Sequence, residues 1–330
     1  MKSLYPLLAA LLLALASTPV HADAPAKPGL KEWKVPWENT RPRDPFVGPA
    51  GNSVWFVGQA GDYVATLNPE TGGLKRYRLD PGTGPHNVIA DERGAFYAGN
   101  LDGHIGLIDP DSGNTRKFRL EGDGPRDVHT MAFDSNGDIW FTEQAGNRIG
   151  RLEVDEYDFR MYPVKSESAR PYGLVVGPDD RPWATLFGTN RLATVDREGQ
   201  LREIRLPRDD ARPRRLDITD KGILWYVDYS GGFLGRLDTN SGEILEWPVP
   251  GGPNAYPYAM ALDDQGRPWF VETGPSPNRL IGFDPESERF SDPAAVPSGG
   301  GTVRHMVFDP ETRSFWFGTD TNTVVRASLQ

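Results

Sequence analysis

Short apolar runs alternate with polar turns along nearly the whole chain, and at their centres stand aromatic residues at Trp55, Tyr97, Trp140, Trp183, Trp225, Trp269 and Trp316, 42 to 47 residues apart. A period of this size marks a repeat architecture. Before each centre comes an apolar segment closed by a turn such as Asp91-Glu92-Arg93-Gly94 or Asp134-Ser135-Asn136-Gly137. After it come a second alternating segment, such as Asn147-Arg148-Ile149-Gly150-Arg151-Leu152, and a third, such as Thr115-Arg116-Lys117-Phe118-Arg119-Leu120. Four short strands per unit, joined by turns rich in Gly, Asp and Asn, leave no room for the crossover helices of a parallel α/β fold. The pattern predicts an all-β, seven-bladed β-propeller with four-stranded blades.

The two ends of the chain fit one closure. Residues 322–328 read as the third strand of the last unit, with no outer strand after them, whereas Leu30-Lys31-Glu32-Trp33-Lys34-Val35 has the outer-strand pattern but precedes the first centre. Pairing the two closes the ring and protects its edges. The propeller therefore spans residues 29–330, after a lead-in over 23–28. Residues 1–22 read as a signal peptide, with Lys2, the apolar run Leu7 to Ala16 and a small-residue cleavage site at Val20-His21-Ala22. This predicts a periplasmic or secreted protein with no transmembrane segment in the mature chain.

Composition narrows the chemistry. The 330 residues contain no cysteine, so disulfides, thiolate nucleophiles and iron–sulfur sites are excluded. A formal charge of −10 argues against a nucleic-acid surface. The repeated aromatics themselves read as packing between blades, which places function at positions where the units differ.

Two such positions fall on one rim of the central channel. Near the start of the first strand the units read Arg43, His86, His129, Tyr172, Arg214, Tyr258 and Arg304; near the end of the second they read Gly58, Asn100, Glu143, Leu186, Asp228, Glu272 and Thr319. Large basic, aromatic and acidic side chains at equivalent sites of a regular scaffold point to ligand binding. Asp127 and His129, two apart, would share one side of a strand, with Glu143 opposite and His86 entering from the preceding blade. Imidazoles and carboxylates so placed suit a divalent ion or proton transfer, and equally suit an ordinary polar rim. Arg43, Arg214 and Arg304 suit a carboxylate or ester ligand, with Tyr172 and Tyr258 against its apolar body; alternatively they pair with Asp44, Asp127, Asp217, Asp228 or Glu272.

The segments Pro171-Tyr172-Gly173-Leu174, Trp140-Phe141-Thr142-Glu143 and Asn147-Arg148-Ile149-Gly150-Arg151 resemble the streptogramin lyase family, over essentially the whole mature chain. That resemblance implies opening of a cyclic depsipeptide ester by elimination, assisted by a magnesium ion. It implies His129 and Glu143 as the catalytic pair and His86, Asp127 and Glu143 as the metal ligands, although linear alignment sets Tyr258 and Arg304 opposite the family's two histidines. Three functions follow as expectations. The first is a lyase-like enzyme acting on an ester or lactone. The second is a non-enzymatic propeller that binds a small acidic ligand or a protein partner, and the third is a metal-dependent lactonase.

Overall fold

The computed structural model describes residues 24–49 and 51–329, so the signal-peptide reading of residues 1–22 lies outside the described residues. Seven antiparallel sheets follow one another in chain order. Blade 1 runs from Pro42–Val47 through Val54–Gly58 and Tyr63–Leu67 to Leu74–Arg78. Blades 2 to 6 begin with first strands Pro85–Asp91, Val128–Phe133, Pro171–Val176, Pro213–Ile218 and Pro257–Leu262. Blade 7 is built from Met306–Asp309, Ser314–Gly318 and Thr323–Ser328. All seven aromatic centres lie on the second strand of their blade.

The missing outer strand of blade 7 comes from the other end of the chain. Gly29–Lys34 pairs antiparallel with Thr323–Ser328, in register from Gly29 opposite Ser328 to Lys34 opposite Thr323. Trp33 stacks on Trp316, with ring centroids 5.4 Å apart, so the closing strand is held by side chains as well as by its ladder. Residues 24–28 form no strand.

Apolar clusters sit between neighbouring sheets rather than within one. Trp55 and Val57 of blade 1 pack with Val88 and Tyr97 of blade 2, and Trp183 of blade 4 packs with Leu216 and Tyr226 of blade 5. The glycine of the third strand makes space for this layer: a Cβ on Gly150 would stand 2.2 Å from the Phe141 ring, and one on Gly235 2.0 Å from the Tyr226 ring. The Asn-Arg-Ile-Gly-Arg motif is thus a packing motif.

Blade 6 departs from the four-strand pattern. Its outer edge is broken into Arg289–Phe290 and Ala294–Ala295, both paired with Arg279–Asp284. Pro293 and Pro297 flank the second piece, and proline cannot donate to a ladder. The Ser291 hydroxyl accepts the Gly282 N–H at 2.9 Å where the strand is interrupted. Among the described residues no helix is long and apolar enough to cross a membrane.

Candidate functional site

Six of the seven first strands carry a register shift near their start, as between Pro85 and Val88, Val128 and Met131, and Pro213 and Arg215. A bulge sets two successive residues against one on the partner strand. The consequence is seen in Arg214 and Arg215. In a regular strand they would face opposite sides, yet Arg214 reaches Tyr172 and Tyr258 of the two neighbouring blades while Arg215 reaches across the central channel to Thr130 and Asp44. The channel is therefore filled by two layers of side chains, one of them formed by the rim positions that the sequence singles out.

In that upper layer the His86 and His129 rings lie 3.5 Å apart between centroids, and His129 lies 4.1 Å from Tyr172. The Tyr172 and Tyr258 hydroxyls hydrogen-bond across blade 5. Arg214 lies between them, its guanidinium 3.8 Å from the Tyr258 ring, 4.3 Å from Tyr229, 4.5 Å from Phe187 and 5.0 Å from Tyr172. Arg43 donates from Nε to Asp44 at 2.9 Å and from Nη1 to Gln59 at 3.0 Å. Arg304 is paired with Asp320 near the surface. His86, His129, Tyr172 and Tyr258 are all buried, so this layer closes the channel.

The layer beneath is an ion-paired plug. Arg215, 2% exposed, donates from Nη2 to Asp44 at 2.9 Å, from Nη1 to the Thr130 hydroxyl at 3.0 Å and from Nε to the Arg304 carbonyl at 3.0 Å. One side chain of blade 5 thereby ties blades 1, 3 and 7. On its far side opens an apolar cavity of about 560 Å³ lined by Phe46, Met131, Leu174, Leu216, Met260 and Met306.

Burial and arginine charge set the protonation of this centre. Burial pushes the His86 imidazole well below its ordinary value, helped by Arg43 and Arg215; His129 is lowered the same way, with His86 and Arg215 adding to burial. Both rings are neutral. Burial raises a carboxyl, but at Asp44 the adjoining Arg43 and Arg215 outweigh it and hold the group ionised. Burial also works against ionisation of Tyr172, yet Arg214, Arg43 and Arg215 bring that phenol down to about 8.

The histidines and the carboxylates read as one cluster in the sequence form two separate groups. His86 and His129 meet in the channel. Asp127 lies in the loop before Val128 rather than on the strand, and its carboxylate accepts the N–H groups of Ala145 at 2.9 Å and Gly146 at 3.1 Å. Glu143 is fully buried and accepts from Arg148 Nε at 2.5 Å. Asp228 and Glu272, at the same position of blades 5 and 6, likewise bind Arg208 and Arg279. Among the described residues no group of three or more His, Cys, Asp or Glu side chains stands as a ligand set for an ion; Asp127 and Glu143 are taken up by protein donors, apart from the histidine pair.

Sequence reasoning missed Arg215 as the plug, together with Thr130 below and Phe187 and Tyr229 beside Arg214. A signal was present: a proline opens five of the seven first strands, at 42, 85, 171, 213 and 257, just where the bulge begins. Reading a bulge there brings Arg215 into the channel beside Asp44 and Thr130.

Comparison with known proteins agrees with the fold and extends it. Residues 28–327 match the model of the virginiamycin B lyase family. A virginiamycin B lyase of Nocardia farcinica is 28% identical over 229 residues, covering 57% of this chain and 77% of its own length. The crystal structure of virginiamycin B lyase from Staphylococcus aureus superposes with a TM-score of 0.82 at 25% identity, covering 92% of this chain and 99% of that one. A catalytically inactive histidine-to-alanine variant of the same enzyme with quinupristin gives the same TM-score, identity and coverage.

Proposed function

Because the chain belongs to the virginiamycin B lyase family, we propose that it opens an ester or lactone linkage of a small cyclic molecule by elimination, at the channel mouth formed by the starts of the first strands. The observation that carries this reading is the neutral, buried pair His86 and His129, since a general base must hold a free lone pair at working pH. His129 Nδ1 lies 3.0 Å from the Thr130 hydroxyl, which already accepts from Arg215. In the tautomer that donates Nδ1–H to Thr130, Nε2 carries that lone pair.

The step balances without water. Nε2 takes a proton from the carbon next to the one bearing the ester oxygen, and the C–H electron pair becomes a carbon–carbon double bond. The bond from carbon to the ester oxygen breaks, and the acyl end leaves as a carboxylate. His129 is only 3% exposed, so substrate reaches it when the Tyr172–Tyr258 hydrogen bond parts. Glu143 is held by Arg148 and takes no part in this step.

The test is turnover of a cyclic depsipeptide by the chain lacking residues 1–22, read by mass spectrometry in ¹⁸O-labelled water. A ring-opened product with the mass of the substrate and a new double bond supports elimination. Uptake of solvent oxygen makes the protein a hydrolase, and an unchanged compound removes the enzymatic reading.

A further inference from the structure

The centre of the channel holds more positive charge than the protein balances. Arg43, Arg214 and Arg215 converge on the Tyr172 phenol, and the carboxylate that pairs among them is Asp44. Arg304 is neutralised apart from them by Asp320, and the buried histidines carry no charge. Three guanidinium ions therefore share one carboxylate. Buried charge without a partner is costly, and an anion entering this site relieves the cost.

The hydrogen-bond inventory marks where such an anion sits. Arg43 is 4% exposed, and its Nη2 has no acceptor although Nε and Nη1 both do. Arg214 Nε is buried and has no acceptor, and no carboxylate among the described residues lies within ion-pair reach of its guanidinium. What surrounds Arg214 instead is aromatic: Tyr172, Phe187, Tyr229 and Tyr258, with Tyr256 continuing the row at 5.2 Å from Tyr229. Tyr256 is 39% exposed, so the row runs from the buried guanidinium out to solvent. A planar group carrying a carboxylate has its apolar face matched by that row and its charge by the arginines.

We propose that Arg214 and Arg43 form a receptor for a carboxylate borne on an aromatic group. Resting on the lyase reading, this carboxylate is the acyl end freed as the ester opens. Fixed guanidinium charge then supplies the stabilisation of the leaving group that a metal ion would otherwise give. The depressed Tyr172 phenol reflects the same excess of positive charge.

The experiment is calorimetric titration of the protein with phenylacetate and with its neutral amide, phenylacetamide, in the presence of EDTA. Phenylacetate is expected to bind about tenfold or more tightly than the amide, as a charge-assisted pair requires. Arg214→Gln is expected to remove that preference. Equal affinity of the two probes, or phenylacetate binding that needs added magnesium, overturns the proposal; both arms use the unmodified protein and do not depend on the folding of a variant. The two readings separate cleanly. Phenylacetate preference in a protein that opens no cyclic ester leaves the receptor standing and removes the lyase, whereas elimination without the preference removes the receptor alone.

Discussion

The His86 and His129 rings stand 3.5 Å apart, each at the same position of its own blade and each lowered by burial and by the arginines around it. Neither ring can take a proton at rest without placing a charge against Arg43 and Arg215. His129 nevertheless has the Thr130 contact that orients an imidazole for proton abstraction.

His129→Ala is therefore expected to lower kcat for ring opening by about 10²-fold or more, the usual contribution of a general base, with little change in substrate binding. Steady-state kinetics with the elimination product as readout checks it. A fall confined to KM would assign His129 to binding.

Arg215→Met leaves Asp44 with Arg43 alone and unlinks three blades. Removing one member of a buried ion pair costs about 3–5 kcal/mol, so the variant should unfold at clearly lower urea concentration. Adding Asp44→Asn should recover part of the loss, because the second change removes the stranded carboxylate. An Arg215→Met protein as stable as the parent would show that the plug contributes no net stability.

Stability should fall as pH drops below about 6.5. His86 and His129 are well below their ordinary value when folded, and His305 is lowered to about 3 by burial and by Arg215. The unfolded chain takes up protons that the folded chain refuses, so each imidazole removes up to about 1.4 kcal/mol per pH unit in that window. Asp217 works the other way. Burial raises it to about 6, and the stability that it contributes below the unfolded carboxyl value is lost as pH rises from about 4 to about 6. His104, lowered to about 4 by burial, adds to the imidazole side, and Glu143, raised by burial, to the carboxyl side. Four groups outweigh two, and urea titrations at pH 7 and pH 5 should give the lower midpoint at pH 5. His305→Asn should flatten the difference.

Gly235→Ala is expected to destabilise blade 5 by about 1–3 kcal/mol, since the new methyl would stand 2.0 Å from the Tyr226 ring. Thermal unfolding measures it. Gly242→Ala makes a useful contrast: nothing lies within 4 Å of its added carbon, but its φ of +79° strains any side chain, so backbone strain is read there without a clash.

The architecture was legible because it repeats. Seven aromatic centres, strand spacings and an orphaned outer strand at residues 30–35 each constrain the same ring, and all seven centres fall on second strands as the pattern requires. His86 beside His129 was legible for the same reason, as equivalent positions of adjacent units. What the pattern does not encode is competition for partners. Glu143 is claimed by Arg148 from the next strand, and Asp127 by the amides of Ala145 and Gly146. Arg215 was hidden by strand alternation, which the bulge beside Pro213 suspends.

The pairing of Gly29–Lys34 with Thr323–Ser328 also fixes an order in time. Among the described residues the first strand waits for the last, and every blade between them can form before the ring can. A chain stopped anywhere short of residue 323 presents two open sheet edges at once, one at each end. Arrival of Thr323–Ser328 is thus read by the fold itself, as the event that turns a row of blades into a sealed circle.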